Sequence, residues 1–506
     1  MEMQSENKRL NRRIADFYDG KTLFLTGAAG YLGVVLLEIL LRCCPGICRI
    51  YILLREKKGV DARSRKEQIF KRKIFEKLRE KQPDIFDKVH VVPGDVSLHN
   101  LGMNEADALK VAQEASIVFH CAATISFLKP LRFVLIQNAI GTDNVVEFCR
   151  KLKTLDTLVY TSTAYSNSNR KDEIEEIIYR LPFPAQRYLD ELKNGDDESL
   201  KKLVSQCSPK WPNAYTFSKC LAENILADKA SDLPIAIIRP SIIISVWKGV
   251  VRGYVEEGSG MVGLSLGIGK GFIRVLRVDT EKKIDHIPVD VVANAHIVAA
   301  WCTGTDRAQS PLVLNCTSGD VSPCTWGEYI NTLFTMTLKY PLPKAYQHPK
   351  LILCKNPVYY FLLSIFEHYV PAFAIDGLLK LSGRKPKLVS LYRFLDKSLE
   401  SIQTFVVNEW KFSTDNFKSL AEKMDAKDNE MFYVDLKGYG VDELTKDLPK
   451  GAPFYQWDID RKQFAERMKT TYIRNLLTSF IKWVFLICMI SIIFMLGTQI
   501  YQRCLS

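Results

Sequence analysis

The chain lacks any ordered use of cysteine: its 13 cysteines are odd in number and form no CxxC pair. Neither a zinc site nor a disulfide framework is expected, and a reducing compartment fits best. The first twenty residues, MEMQSENKRLNRRIADFYDG, hold no apolar run, so no secretory signal is expected in them. Internal repeats, low-complexity tracts and nucleic-acid-binding motifs are also missing. The 69 basic residues are interspersed with 57 acidic ones, for a formal charge of +12. That balance suits acidic partners such as nucleotides or an anionic membrane surface better than nucleic acid. What is present is a chain of 506 residues, 47% of them hydrophobic, long enough for two or three domains with real cores.

The segment KTLFLTGAAGYLGVVLLEILLRCC opens with an apolar strand, passes through Gly27, Gly30 and Gly33, and continues into an apolar-faced helix. Glycine lets backbone turn tightly and approach a phosphate, and a helix N-terminus adds free N–H groups and a positive dipole end. A second strand, RIYILLR, follows at the spacing of a βαβ unit, so the triplet reads as a dinucleotide site. That strand ends in Arg55, where an NAD-selective site would usually place an acid. A guanidinium there suits a 2′-phosphate and favours NADPH, with Lys57 and Lys58 as helpers. The charged stretch SRKEQIFKRKIFEKLREK carries Phe70, Ile74 and Leu78 on one face and reads as an ordinary surface helix.

Further β-branched runs, KVHVVPGD, SIVFHCAA, LDTLVYTSTAY and IAIIRPS, alternate with helical segments, the pattern of an α/β, Rossmann-type doubly wound parallel sheet. Ligands bind such sheets beyond the carboxyl ends of the strands, which here carry Gly27, Arg55, Asp95, Ala122, Ser162, Thr163 and Pro240. Residues 166–211 read as a polar, irregular insertion, and IDHIPVDVVANAHIVAAW returns to a strand followed by a helix. The expected organisation is an extension over 1–20, a nucleotide-binding domain over 21–330, a helical C-terminal domain over 350–460 and a membrane helix over 483–501. The last segment, from Trp483 to Tyr501, has 19 residues without a charge, about 28 Å as a helix. Its Ser491, Thr498 and Gln499 leave a re-entrant or buried helix as the alternative. Six basic residues precede it (Arg461, Lys462, Arg467, Lys469, Arg474, Lys482) and Arg503 follows, which places the long N-terminal part in the cytosol.

PNAYTFSKCLAE puts Tyr215 and Lys219 four residues apart, on one helix face. The helix follows the strand ending in Ser162 and Thr163, so hydroxyl, phenol and ammonium are expected to converge. A neighbouring cation favours the ionised phenol and would bring its pKa down towards the operating range. Cys121, Cys207 and Cys220 lie nearby in sequence but have no base at a motif distance, and read as packing residues.

TGxxGxLG, Asn138-x-x-Gly-Thr, the strand-end Ser/Thr pair, YxxxK and Arg239-Pro240 together resemble the extended short-chain dehydrogenases. Within them, GYLGVVLLEILLRCCP, VSLHNLGM, YTSTAYSN, IIRPSIIISVWKG and IPVDVVANA resemble the alcohol-forming fatty acyl-CoA reductases. The likeness is strong over 20–330 and moderate over 350–430. It implies reduction of a long-chain acyl-CoA by NADPH, through an aldehyde, to a primary alcohol, with a membrane-embedded end. Carried over by motif, Tyr215 donates the proton, Lys219 holds the nicotinamide ribose, Thr163 hydrogen-bonds the reacting oxygen, and Ser162 is its neighbour. The cofactor set is Thr26, Gly27, Gly30, Tyr31, Leu32, Gly33, Arg55, Asp95, Val96, Ala122, Lys219 and Pro240, with Asp95 facing adenine and no metal. Endoplasmic reticulum is the expected membrane and peroxisome the alternative, since the chain stops at CLS without SKL or KDEL. VVRGYVEEGSG and residues 430–460 depart from the family pattern, which leaves chain-length preference open. Rival readings are a membrane-bound dehydrogenase for a steroid or nucleotide sugar, and a non-catalytic nucleotide-binding scaffold.

Overall fold

The computed structural model describes residues 14–207, 210–256, 260–306, 311–343, 345–452 and 461–505. Most of the N-terminal extension, part of VVRGYVEEGSG and residues 453–460 of the expected helical domain lie outside them.

Seven short apolar runs become strands: β1 Thr22–Thr26, β2 Arg49–Leu54, β3 Val89–Pro93, β4 Ile117–His120, β5 Thr157–Thr161, β6 Ile235–Pro240 and β7 Leu312–Cys316. They form one sheet in the order β7-β6-β5-β4-β1-β2-β3, and every pair is parallel. Parallel strands covered on both faces carry near-continuous apolar sequence, and β1, β4, β5 and β6 are buried along their whole lengths. The order reverses between β1 and β4, the switch point where such sheets bind ligands. Register sets Thr26 of β1 beside both Leu53 of β2 and His120 of β4, so the strand ends align along one rim.

Helices α1 (Tyr31–Cys43), α2 (Glu105–Glu114), α3 (Gly141–Cys149), α4 (Ala214–Lys229) and α5 (Val289–Asp306) flank the sheet. α1 packs on α5, and α3 on α4. Phe24, Val118, Val145, Phe148, Leu158, Ala222 and Ile237 share one core. IDHIP supplies the expected strand, His286–Pro288, which leads into α5 and pairs with Ile242–Ile244 in a separate two-stranded sheet, while the seventh strand of the main sheet comes from PLVLNC. One expectation changes here. The segment 166–211 is not irregular throughout: helices Ala185–Asn194 and Asp197–Ser205 bury Tyr188, Leu192, Leu200 and Leu203 with Phe217 and Leu221 of α4.

The chain divides into two units. One comprises 1–255, 285–324 and 410–451, the other 256–284, 325–409 and 452–506. In the sheet unit, residues 410–451 return as a brace: Ser413 N donates to Ile174 O at 3.0 Å, and Asn315 of β7 donates through Nδ2 to Ser413 O at 2.9 Å. The second unit holds α6 (Pro357–Ser364), a π-helical turn (Ile365–Tyr369), α7 (Val370–Leu381), α8 (Leu388–Val407) and α9 (Arg461–Leu505). At 45 residues, α9 is ~68 Å long, and its stretch Gln463–Ile500 is long and apolar enough to cross a membrane. It therefore starts well before Trp483.

Candidate active site

Gly27 and Gly33 build a cradle that larger residues would fill. Gly27 has φ +80°, and a Cβ there would lie 2.6 Å from Ala122 N; a Cβ on Gly33 would lie 2.3 Å from Gly27 O. The glycine loop is thus pressed between the β4 end and α1. Gly30 caps α1 without a side-chain hydrogen bond, which presents the first-turn N–H groups to an anion. Thr26 Oγ1 shares a 2.8 Å hydrogen bond with His120 Nδ1 and accepts from Ala122 N at 3.3 Å. Tyr31 Oη donates to Ile244 O and Tyr254 O at 3.0 and 2.8 Å, tying the loop 244–254 over the start of α1. Leu32 and Val96 are buried, and Val96 packs where Gly141 leaves room. These residues fit a dinucleotide pyrophosphate.

At the β2 end Arg55 is half exposed, and its Nη1 reaches Asp95 Oδ2 at 3.3 Å. Burial would raise the Asp95 pKa, but hydrogen bonds from Ser97 and the Arg55 charge outweigh it and hold the carboxylate low. The charged stretch that reads as a plain surface helix contributes here: Arg65 Nη1 donates to Arg55 O at 2.5 Å and Arg72 Nη2 to Ala29 O at 3.1 Å. Burial, with repulsion from Arg55 and Arg72, depresses the Arg65 pKa. Phe70 and Ile74 are buried as expected, but the stretch is not one helix: Ala62–Phe70 stops before Arg72, and a 3-10 turn, Lys73–Phe75, leads into a second helix, Glu76–Lys81.

Tyr215 starts α4, whose N-cap Asn213 accepts from Thr216 N. Burial pushes the phenol up to about 12, partly opposed by a hydrogen bond with Thr163. The expected lowering by the neighbouring cation is therefore not seen: the Lys219 ammonium turns to Thr161 O at 2.5 Å and Tyr160 Oη at 3.3 Å. Burial brings Lys219 down to about 8. Thr163 Oγ1 is 3.4 Å from Pro240 O, which places the end of β6 beside the same hydroxyl. Ser162, next along β5, faces elsewhere. Its Oγ donates to Glu223, which holds Arg239 in a buried two-pronged pair. Tyr215 and Thr163 meet; Lys219 stands one turn on, and Ser162 belongs to the network behind.

Two positioning groups lie outside the expected site residues, Asn138 of the Asn138-x-x-Gly-Thr motif and His120. Asn138, in the π-helical turn Ile136–Ile140, donates to Thr124 O and to Ser218 Oγ at 2.8 Å, and Ser218 Oγ donates to Tyr215 O at 2.7 Å. It thereby ties the loop after β4 to the turn bearing Tyr215. His120 bridges Thr26 and Thr142 and is held neutral, at about 3, by burial and then by the Lys219 charge. Cys121 is pushed up to about 11 by burial, and Cys207 and Cys220 are raised for the same first reason, as suits packing thiols. An open cleft of about 660 Å³ in this unit is lined by Arg42, Lys73, Lys248, Arg252 and Tyr433 among others, but by none of Thr163, Tyr215 or Lys219.

Residues 25–296 match the NAD-binding domain of the family described as male sterility protein, and residues 367–457 match its Sterile domain. The chain is 33% identical to fatty acyl-CoA reductase 1 of Mus musculus over 87% of its own length and 86% of that protein's. It is 32% identical to fatty acyl-CoA reductase 2 of Bos taurus, over 94% and 93%. Among solved structures, the terminal R domain from the myxalamid biosynthetic pathway superposes with a TM-score of 0.55 at 18% identity, covering 86% of this chain and 90% of that one. That likeness shows the fold. With a nicotinamide-dinucleotide domain, and relatives so named along most of its length, the chain is an oxidoreductase that belongs to the fatty acyl-CoA reductase family.

Proposed function

We propose that the chain reduces a long-chain acyl-coenzyme A with NADPH, through a protein-held aldehyde, to a primary alcohol. The meeting of Thr163 and Tyr215 at the sheet rim, beside the glycine cradle, carries this reading. NADPH rather than NADH is supported by Arg55 at the β2 end, with Arg65 beside it. The nicotinamide, when bound, supplies hydride. The hydroxyls of Tyr215 and Thr163 then donate to the carbonyl oxygen as it gains charge in a water-poor site. Coenzyme A leaves as a thiolate, whose thiol has a pKa of ~8.5, and needs no dedicated acid. The aldehyde presents the same carbonyl to the same hydroxyls. In the second reduction Tyr215, held protonated by burial at neutral pH, gives its proton to the alkoxide. Lys219 holds the nicotinamide ribose, and a cytosolic sheet unit is anchored at the endoplasmic reticulum, with the peroxisomal membrane as alternative. The test follows NADPH absorbance, free thiol and extracted products in one assay. Two NADPH consumed per thiol released, with alcohol as product, is expected; one per thiol with aldehyde accumulating would show that reduction stops halfway.

A further inference from the structure

The segment Pro357–Leu381 is amphipathic the wrong way round for water. Its protein-facing side carries Ser364, Glu367, His368 and Asp376, all buried, while Phe361, Leu362, Phe373, Leu378 and Leu381 face outward, Leu381 at 87% exposure. The inward charges are satisfied. Glu367 Oε2 accepts from Arg274 Nε and Lys482 Nζ at 3.0 and 2.7 Å, and Oε1 from Lys350 Nζ at 2.9 Å. Asp376 accepts the N–H groups of Lys387, Leu388 and Val389. A folded chain in water gains nothing from this arrangement, since the apolar side chains stay hydrated while charges are buried.

We infer that α6, α7 and the turn into α8 lie in the headgroup and upper acyl region of an anionic bilayer, as a second membrane contact beside α9. α9 belongs to the same unit, packs against α7 and is joined to the segment through Lys482 and Glu367. Its own apolar exposure begins before that lysine, at Tyr472, Ile473, Leu476 and Phe480, so both packed elements present exposed apolar side chains. The last turn of α7 and the turn after it bear Lys380, Arg384, Lys385 and Lys387, which complement anionic headgroups. Length alone would let Pro357–Leu381 span. Against spanning, Glu367 near its midpoint is paired with Lys350, whose side chain is 48% exposed, and a water-facing ammonium does not belong at a bilayer centre.

This inference rests on α9 being embedded, and the experiment separates the two. A fluorescent amino acid is placed singly at Leu362, Phe373, Leu381, Ile493 and, as a water-exposed control in α2, Leu109. The full chain is reconstituted in phosphatidylcholine–phosphatidylserine nanodiscs, and quenching by aqueous iodide is compared with quenching by lipid nitroxides at shallow and deep acyl positions. Shallow-nitroxide quenching at Leu362, Phe373 and Leu381, with deep quenching at Ile493, is the expected result. Iodide quenching at the three positions equal to that at Leu109 would overturn the docking while leaving α9 embedded. Deep quenching midway between Leu362 and Leu381, at Phe373, would show a span instead. Protection from both quenchers would mean that protein covers the face, and iodide access at Ile493 would overturn the membrane reading of α9 itself.

Discussion

Burial leaves the Tyr215 phenol at about 12, so it is protonated at neutral pH, as its proposed role of proton donor requires. Replacing it by Phe removes one donor to the reacting oxygen and no group from the glycine cradle. Turnover is expected to fall about 10²- to 10⁴-fold with the NADPH dissociation constant nearly unchanged; retained turnover would remove Tyr215 from the chemistry. Arg55 acts on a different axis. A charge-assisted hydrogen bond contributes roughly 1.5 to 3 kcal/mol, and a side chain at 52% exposure belongs at the low end. Arg55→Ala is therefore expected to reduce the preference for NADPH over NADH about tenfold. Equal weakening of both cofactors would reduce Arg55 to a surface charge. Ser162 shows how residue type can mislead: a hydroxyl at a strand end looks available, yet the Glu223–Arg239 pair behind it takes the hydrogen bond.

Among the elements, the junction of the glycine loop with α1 is where a single methyl group matters most. A Cβ at position 33 meets backbone on the far side, Gly27 O at 2.3 Å and Ala28 Cα at 2.9 Å, whereas one at position 30 meets only Gly27 O at 3.2 Å. Backbone cannot rotate away as a side chain can, so Gly33→Ala must push α1 off the loop. A stability loss of about 1 to 3 kcal/mol and failure to bind the dinucleotide are expected, with Gly30→Ala milder on both counts. Thermal melts and a cofactor titration of the two variants decide it; equal behaviour would mean that the loop is softer than its packing indicates. The π-helical turn around Asn138 has the same logic, since the extra residue lets Asn138 reach both Thr124 and Ser218.

For the molecule as a whole, buried histidines and carboxyls of the sheet unit shape the response to acid. His120 sits at about 3, and His286 and His296 at about 4, each depressed first by burial. Burial raises Glu176 to about 7 and Asp285 to about 6. The unfolded chain takes up protons on the histidines below about 6.5 that the fold refuses, so they destabilise on acidification. The two carboxyls are protonated in the fold before they would be in the unfolded chain, so they oppose the trend. Glu38, also raised by burial, acts with these carboxyls, so the net uptake on unfolding is at most about one proton, and stability is expected to fall by up to about 1.4 kcal/mol per pH unit between roughly pH 6 and 4.5. Urea midpoints at several pH values test this; a flat profile would show that the histidines are not held neutral.

The strand runs, the glycine triplet and the Tyr215–Lys219 spacing were legible because each depends on near neighbours. Period, turn residues and i,i+4 placement are properties of local backbone, and they sufficed for the Rossmann-type sheet and for placing Tyr215 and Thr163 together. Tertiary structure alone decided what depended on distant packing. PLVLNC supplies the seventh strand of the main sheet, which is braced by Glu176 and Ser413. Arg65 turns to the nucleotide end from the helix Ala62–Phe70 and Arg72 from the bend after it, and residues 410–451 leave the second unit for the first. Lys219 turned from the phenol towards a carbonyl for the same reason. In a buried site the hydrogen bond an ammonium finds is set by which strand ends beside it, and sequence spacing does not contain that.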